Sequence, residues 1–403
     1  MGIEISSYAG AMEALRHPEL KQALYDAGMS VMSGALITLH GEDHRQRRVV
    51  EFGVFGRGFF RRYERDVFAR TLAPLLEPCR AAGGTDLVEL GYRVIMNLTA
   101  DFAGIDRPIR DEEATDRLLG LVKTFSEGAT LVHSTRAHAE VNGEVGAAMK
   151  RFDEVFFQPS KARRHALVDD VAAGRAGEED LPRDVLTTLL RNTHRVALPE
   201  PVLRREIAFF LQAGAHSTAN ATTHSMHEIF TWLARRPSGA RERLLDRPAL
   251  LQRCVHESLR LHPASPVAWR KATADLQVDG KKVAAGERVT INLRAANRDP
   301  GVFGEDAERF DPERELPQNV WPFGLTFGYG THACLGRDLD GGVTPKADAK
   351  PSSYQLGVVT LFVQALLRAG AAPIPDDPPS ADANTLRSNW GRYPISLTPE
   401  ETS

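Results

Sequence analysis

Residues 327–336 read Phe-Gly-Tyr-Gly-Thr-His-Ala-Cys-Leu-Gly and place Cys334 in a short segment with three glycines. Glycine lets the backbone approach a flat ligand closely, and it adopts positive φ without a steric penalty. A cysteine thiolate held in such a loop can bind soft or borderline metal ions, including haem iron. An isolated cysteine is more often an inert, buried side chain. The residues around Cys334 therefore decide between the two interpretations.

The order Phe-Gly-x-Gly-x-His-x-Cys-x-Gly resembles the cysteine-ligand signature of the cytochrome P450 family, the haem-thiolate monooxygenases. The resemblance implies that Cys334 is the metal ligand of haem b, iron protoporphyrin IX. It also implies that Phe327, Gly328, His332 and Gly336 belong to the cofactor-binding loop. The combination of glycines, histidine and cysteine favours this interpretation over an inert thiol.

The resemblance also implies a fold, which we expect to be the cytochrome P450 fold: mainly α with a smaller β region. The chain has 403 residues, of which 42% are hydrophobic, enough for a large core. We expect a single haem-thiolate monooxygenase domain over residues 1–403. A formal net charge of −3 gives no electrostatic footprint for nucleic acid.

Cysteine usage and apolar runs predict a cytoplasmic protein. Three cysteines, Cys79, Cys254 and Cys334, do not form a disulfide framework. The N-terminus lacks the basic and apolar regions of a signal peptide. No apolar run approaches the ~20 residues of a membrane-spanning helix. We therefore expect no membrane association, as in the soluble, bacterial members of the family.

Residues 40–48, His-Gly-Glu-Asp-His-Arg-Gln-Arg-Arg, predict a helix that Asp43 could cap. His44 and Arg48 are four residues apart and share a face of that helix. A basic run by itself is typical of a solvated helix face. The resemblance instead implies that His44 and Arg48 bind the haem propionates, which need cationic partners when buried. Because only 43 residues precede His44, we expect part of the usual N-terminal edge of the family to be absent.

The longest helical pattern runs from Pro199 to Arg236, and its middle is rich in small residues. The resemblance aligns this stretch with the family's Ala-Gly-x-acid-Thr motif over the distal face of the haem. Ala213 and Gly214 match, and we expect them to lie at the cofactor. Two positions depart from the motif, with His216 at the acid position and Ser217 at the threonine position.

His216 and Ser217 are the predicted catalytic residues. A serine hydroxyl donates and accepts hydrogen bonds as threonine would, and an imidazole carries protons near neutral pH. Cleavage of dioxygen needs protons, so the pair has a definite task. The alternative is that His216 only lines the pocket or faces another helix, and the sequence leaves both open. Further along, His224 and Glu228 have the spacing of a helical metal pair, but we favour packing or surface roles.

Two further motifs resemble the family's scaffold. Glu257 and Arg260 form a Glu-x-x-Arg pair, and Arg314 follows in Phe-Asp-Pro-Glu-Arg. The resemblance implies a buried structural triad of these three residues. Arg270 matches the family's propionate-binding arginine, with His332 as its partner.

Beyond the cysteine loop the pattern departs a second time, because residues 340–351 contain glycines and prolines that will not continue a helix. We interpret the stretch as an inserted loop and expect the helix to resume over 353–367. Gly391, within residues 386–394, predicts a final hairpin.

The resemblance implies oxidation of a small, moderately apolar organic molecule by dioxygen and two electrons. A ferredoxin-type partner would deliver the electrons, with Arg45, Arg47 and Arg337 as candidate docking residues. Two alternatives stay open. With His216 in the acid position, the protein could use peroxide or catalyse a rearrangement, or it could be a catalytically silent haem-binding protein.

Overall fold

The computed structural model describes residues 2–107, 111–345 and 349–398. Contacts divide the chain into two compact units. The first unit comprises Met1–Ala23, Phe60–Gly91 and Ser217–Ser403, and the second comprises Leu24–Phe59 and Tyr92–His216. The single domain over residues 1–403 stays a prediction.

Helices make up most of the described chain, which confirms the predicted fold class. The α-helices are α1 Tyr8–Arg16, α2 Met29–Met32, α3 Gly41–Glu51, α4 Arg57–Arg62, α5 Ala69–Ala81, α6 Leu87–Ala103, α7 Glu112–Ala129, α8 His138–Phe152, α9 Gln158–Ala172, α10 Val185–Arg191, α11 Glu200–Leu233, α12 Ala240–Leu245, α13 Pro248–Leu261, α14 Leu293–Ala296, α15 Pro300–Phe303, α16 Arg337–Asp340 and α17 Val358–Arg368. Two π-helical segments, Tyr63–Phe68 and Asp153–Phe157, continue directly into α5 and α9.

The strands are short and lie in small sheets. They are β1 Ile3–Ile5, β2 Leu20–Gln22, β3 Gly84–Asp86, β4 Val267–Ala272, β5 Leu276–Val278, β6 Lys281–Val283, β7 Arg288–Asn292, β8 Ala372–Pro373, β9 Ser380–Ala381, β10 Trp390–Arg392 and β11 Pro394–Ser396. The largest described sheet has the order β1-β7-β4-β2, and a three-stranded sheet has the order β3-β11-β8.

The four-stranded sheet forms one side of a core in the first unit. Strand β1 pairs parallel with β7, while β7–β4 and β4–β2 are antiparallel. Alternate residues of β7, Val289 and Ile291, are fully buried, as the period of a strand requires. Helix α1 covers this core, and Tyr8 packs edge-on against Phe303 at 5.6 Å between ring centroids. Residues 3–22 thus supply one helix and two strands ahead of His44.

The Asp279-Gly280 turn joins β5 and β6. The two strands pair antiparallel with Leu276 opposite Val283. Asp279 and Gly280 have φ of 50° and 69°. Positive φ at both central positions is the geometry of a two-residue hairpin turn that matches strand twist.

The predicted triad is present in the first unit. Arg260 donates from Nε and Nη2 to the two carboxylate oxygens of Glu257, at 2.8 and 2.7 Å. Arg314 Nε donates to Glu257 Oε1 at 3.3 Å. Arg260 also donates to the carbonyl oxygens of Asn297 and Ala307. The triad therefore ties α13 to three later segments of the chain.

Charged groups are also buried in the second unit. Arg47 donates to Glu206 at 2.8 Å, and both side chains are almost fully buried. The backbone N–H of Leu36 donates to the same carboxylate at 2.9 Å. The interpretation of Arg47 as a docking residue is therefore wrong, because its guanidinium is occupied inside the unit. Arg45 is exposed and pairs with Glu42.

Two local expectations differ from the structure. Asp43 is not the N-cap of α3; His40 holds that position without a side-chain cap, and Asp43 lies in the first turn. Helix α17 begins at Val358 rather than 353, because Gln355 pairs with Val343 in a β-bridge and Gly357 has φ of 85°. Of the expected inserted loop, residues 346–348 lie outside the described residues.

The final hairpin also differs from the prediction. Gly391 lies within strand β10 rather than at a turn. Strand β10 pairs with β9, so the connection between the two strands spans residues 382–389. The loop that we placed at Gly391 is thus several residues earlier.

Candidate functional site

The cysteine loop folds back on itself. The backbone N–H of Cys334 donates to the carbonyl oxygen of Phe327 at 2.8 Å. Gly328 and Gly330 have φ of 67° and 69°, values that favour glycine. The hydrogen bond between Cys334 and Phe327 closes the loop. Cys334 is exposed, whereas Cys254 is buried.

Gly330 and Gly336, two glycines of the loop, have different surroundings. A Cβ at Gly330 would lie 2.8 Å from the Cα of Arg16 on α1, which is too close for any other residue. A Cβ at Gly336 would lie 3.9 Å from Cys334 Sγ, an ordinary van der Waals distance. The neighbouring sulfur thus lies close to position 336 but does not by itself require glycine there.

The predicted propionate ligands of the first unit are on β4 and in the cysteine loop. Arg270 is buried, and its Nη1 donates to Gln22 Oε1 at 3.0 Å and to the Trp269 carbonyl at 3.1 Å. Gln22 is the cross-strand partner of Arg270 on β2. His332 is half-buried at the end of the 3₁₀ turn Gly330–His332.

The predicted propionate ligands of the second unit are on α3. His44 is 1% exposed. Burial, together with the charges of Arg48 and His40, lowers the pKa of His44 to about 4. The repulsion from Arg48 agrees with the shared helix face that we predicted. His44 is therefore a neutral imidazole at pH 7 and contributes an N–H without a charge.

The small-residue segment of α11 packs tightly within the second unit. A Cβ at Gly214 would collide with the methyl group of Thr99 on α6. The neighbouring Ala215 is fully buried. Close helix packing thus accounts for glycine at position 214, whatever contact the segment makes with a cofactor.

The ring of His216 is held by a tyrosine. Tyr92 Oη lies 2.6 Å from His216 Nδ1, and the ammonium group of Lys123 lies 5.0 Å from the centroid of the Tyr92 ring. This contact joins α6 to α11. The sequence holds no motif that marks Tyr92 as the partner of His216.

Next to Ser217, Thr218 makes a second contact that the sequence analysis missed. Thr218 is 2% exposed, and its hydroxyl donates to Asp340 Oδ1 at 2.9 Å. Burial of the Asp340 carboxyl raises its pKa to about 7, and the hydrogen bond from Thr218 acts in the opposite direction. The only signal in the sequence is that Asp340 begins the stretch 340–351, which we interpreted as an inserted loop.

The histidines further along α11 have packing partners. The rings of His224 and His262 are stacked at 4.4 Å, and His262 Nε2 lies 2.7 Å from Glu228 Oε1. His227 Nδ1 lies 3.0 Å from Tyr393 Oη. Over residues 2–107, 111–345 and 349–398, no three or more His, Cys, Asp or Glu side chains are placed to hold a metal ion. The structure thus agrees with the packing role predicted for His224 and Glu228.

The chemistry of these residues fits a haem. Cys334 offers an exposed sulfur in a loop whose glycines permit close approach of a flat group. A thiolate is a soft ligand suited to haem iron. Arg270 in the first unit and Arg48 in the second each carry a permanent positive charge, the kind of group that pairs with carboxylates. In the described chain, no helix is both long and apolar enough to cross a membrane.

The chain matches the Cytochrome P450 family model over residues 140–339. It is 26% identical over 363 residues to cyclooctat-9-en-7-ol 5-monooxygenase of Streptomyces melanosporofaciens, covering 79% of this chain and 74% of the relative. It is 33% identical over 172 residues to 20-oxo-5-O-mycaminosyltylactone 23-monooxygenase of Streptomyces fradiae, covering 43% of this chain and 38% of the relative. The crystal structure of CalO2 matches with a TM-score of 0.73 and 20% identity, covering 98% of this chain and 90% of CalO2. With its cysteine loop and its fold, the chain belongs to the cytochrome P450 family, the haem-thiolate monooxygenases.

Proposed function

We propose that this cytochrome P450 oxidises a small, moderately apolar organic molecule with dioxygen and two electrons from a ferredoxin-type donor. The observation that carries the proposal is the cysteine loop, in which the amide of Cys334 is bound to Phe327 and the sulfur is exposed. Haem b bound at Cys334 would supply the activation of dioxygen. The apolar substrate class is supported by the Streptomyces relative named for cyclooctat-9-en-7-ol.

The chain would hold the cofactor through a ligand and a set of donors. Cys334 is the proposed metal ligand, and Arg270, His332, His44 and Arg48 are the proposed propionate partners. The two arginines carry a permanent positive charge at neutral pH, and His44 adds a ring N–H donor. Hydrogen bonds from charged donors to carboxylates are stronger than neutral ones.

His216 and Ser217 are the proposed proton-handling pair. The Tyr92 hydroxyl orients the His216 ring through Nδ1, and the Ser217 hydroxyl is both a donor and an acceptor. Proton delivery by a positioned imidazole is a common form of general acid catalysis. His216 would therefore perform the task that a carboxylic acid has in the family motif.

Two exposed or half-exposed arginines are the proposed contacts of the electron donor. Arg45 is 73% exposed at its side chain. Arg337 pairs with Asp338 and lies over the ring of Trp321 at 4.7 Å. An acidic ferredoxin would be attracted to such cations, more strongly at low ionic strength.

The ligand assignment is tested by replacing Cys334 with histidine. We expect Cys334→His to lose both the thiolate-type absorption spectrum with carbon monoxide and product formation, because imidazole donates less electron density to iron. The matched control is Cys79→Ser, which removes a different, partly buried thiol and keeps the spectrum. A thiolate-type spectrum in Cys334→His would contradict the assignment.

A second candidate function rests on His216 itself. An imidazole oriented by Tyr92 can assist the cleavage of peroxide or a rearrangement, since it can both give and take a proton. In that case the enzyme would not need a ferredoxin. The same haem ligand and the same propionate partners serve both functions.

The two functions are separated by the oxidant that each variant uses. For the dioxygen-dependent function, we expect His216→Asp to keep ferredoxin-driven product formation and His216→Ala to lose it roughly tenfold or more, with release of peroxide instead. Product and released peroxide are measured per electron consumed, with reduced ferredoxin and with peroxide alone. If wild type forms product only with added peroxide, the second function is correct.

A further inference from the structure

A carboxyl group lies on the short helix that follows the cysteine loop. Asp340 is the last residue of α16, and its Oδ1 accepts a hydrogen bond from the Thr218 hydroxyl at 2.9 Å. The two residues are 122 positions apart in the sequence, and Thr218 is almost completely buried. The contact therefore connects α16 with the turn of α11 that carries Ser217.

Both ends of helix α16 lie close to residues of the cysteine loop. At its N-terminus, a Cβ on Gly336 would lie 3.9 Å from Cys334 Sγ. Just beyond its C-terminus, a Cβ on Gly341 would lie 3.3 Å from the Phe327 ring. Phe327 is the residue whose carbonyl accepts the Cys334 N–H. Asp340 thus lies within a few residues of groups that surround the sulfur.

The backbone next to Asp340 is held in place. The Gly341 carbonyl accepts hydrogen bonds from His256 Nε2 at 2.6 Å and from Gln252 Nε2 at 3.1 Å. Gln252 Nε2 also donates to the carbonyl oxygens of Gln355 and Leu356. These bonds from α13 fix the end of α16, so the Asp340 carboxyl has a defined position toward Thr218.

The ionisable groups around Asp340 differ in their behaviour near pH 7. Burial lowers the pKa of His256 to about 4, so this ring is neutral. Arg337 and Asp338 form an ion pair with each other at 2.9 Å. Glu64 accepts hydrogen bonds from the N–H groups of Leu356 and Gly357, and burial raises its pKa to about 7. Burial thus raises the pKa of both the Glu64 and the Asp340 carboxyl groups to about 7.

We propose that Asp340 binds a proton when an electron reaches the haem, and is thus a positioning residue that couples protonation to reduction. In the haem-loaded protein the electron would come from the redox partner and would lower the positive charge near Asp340. The proton comes from solvent and forms an O–H bond at the Asp340 carboxylate. A carboxylate stabilises the more positive, ferric state, so its proton affinity rises on reduction. The inference rests on haem binding at Cys334, not on the oxidant.

The test is the reduction potential of the haem-loaded protein as a function of pH, measured by spectroelectrochemical titration. For wild type we expect the potential to fall as pH rises through about 7, where the Asp340 carboxyl ionises. In Asp340→Asn the fall over this interval should be lost, while the amide oxygen still accepts the Thr218 hydroxyl. A wild-type potential that does not change with pH, or an equal fall in Asp340→Asn, would overturn the proposal.

Glu64→Gln is the matched control, because Glu64 ionises in the same pH range but lies on a different element. We expect the reduction potential of this variant to depend on pH as in wild type. If the pH dependence of the potential is lost in Glu64→Gln and kept in Asp340→Asn, the proton is not bound by Asp340.

Thr218→Val provides an independent variant should Asp340→Asn fail to bind haem. Loss of the hydroxyl removes the interaction that lowers the Asp340 pKa, so the midpoint of the pH dependence should move to higher pH. An unchanged midpoint would contradict the proposal. These titrations need neither substrate nor dioxygen, so their failure leaves the proposed monooxygenase function standing, and failure of turnover leaves the inference standing.

Discussion

At the residue scale, the contact between Tyr92 and His216 determines how the departure from the family motif can function. A histidine at the acid position is useful only if its ring has a defined orientation. The Tyr92 hydroxyl contacts Nδ1 of His216 at 2.6 Å. The hydrogen bond that one ring nitrogen makes determines whether the other nitrogen carries a proton. Tyr92 is thus a positioning residue for the proposed proton transfer.

We therefore expect Tyr92→Phe to lower the product formed per electron about fivefold, the effect of losing one hydrogen bond of ~1 kcal/mol. The ring of residue 92 is retained, so haem binding should not change. The measurement is product and released peroxide per electron, with the carbon monoxide spectrum as the test of an intact site. Tyr354→Phe, outside the site, is the control. Unchanged coupling in Tyr92→Phe would show that the hydroxyl does not orient His216.

At the element scale, the triad of Glu257, Arg260 and Arg314 connects α13 to distant loops. Arg260 is fully buried and donates to Glu257 and to two backbone carbonyls. Removal of one member leaves a buried charge without its partner. The resulting loss of folding free energy is much larger than the stabilisation that an exposed ion pair provides. Such a network holds together elements that are far apart in the sequence.

We expect Arg260→Ala to reduce the free energy of unfolding by roughly 3–5 kcal/mol. Arg65→Ala is the control, because Arg65 pairs with Asp66 on the surface and its loss should cause no measurable change. Denaturant unfolding of the haem-loaded protein measures both. If Arg260→Ala behaves like Arg65→Ala, the triad does not stabilise the fold.

Helix α17 shows a second long-range effect at this scale. The two residues just before α17, Leu356 and Gly357, donate their N–H groups to the Glu64 carboxylate. A carboxylate at a helix N-terminus is stabilising because N–H groups there lack helical partners. Glu64 precedes Gly357 by 293 residues. The start of α17 therefore depends on a residue that no local pattern connects with it.

At the scale of the whole molecule, buried ionisable groups make stability depend on pH in two opposing ways. Burial raises the pKa of Glu51, Glu64, Glu206 and Asp340. Their stabilising contribution is complete below the unfolded-state pKa and is lost as pH rises toward the folded-state pKa. Burial lowers the pKa of His44, His224 and His256, so their contribution is lost as pH falls. Because the two sets oppose each other, single variants are a sharper test than the total curve.

Glu51→Gln isolates one member of the first set. Glu51 is fully buried, and both burial and the charge of Glu206 raise its pKa well above the usual value. Glutamine mimics the protonated carboxyl and does not ionise. We expect Glu51→Gln to gain stability relative to wild type as pH rises from about 5 to about 8, by about 1.4 kcal/mol per unit of pKa shift. Calorimetric unfolding temperatures at both pH values measure this, and a difference that does not change with pH would contradict it.

Features that rest on local patterns could be predicted from the amino-acid sequence. The cysteine loop is a contiguous motif, α6 and α11 follow from helical periodicity and breaker residues, and the β5–β6 hairpin follows from Asp279-Gly280. Each of these depends on residues close together in the chain, so backbone geometry and side-chain period suffice. The triad of Glu257, Arg260 and Arg314 spans 57 residues, and its prediction came from the resemblance to the family rather than from a local pattern.

Contacts between side chains that are far apart in the sequence depend on the tertiary structure. Tyr92 and His216 are 124 residues apart, and Arg47 and Glu206 are 159 residues apart. Thr218 and Asp340 are 122 residues apart. Periodicity predicts the face of a helix on which a residue lies, but the partner depends on how helices pack and on their relative register. For this reason Asp340 and Tyr92 were missed from the sequence, and Arg47, which lies in a polar run, is buried in an ion pair.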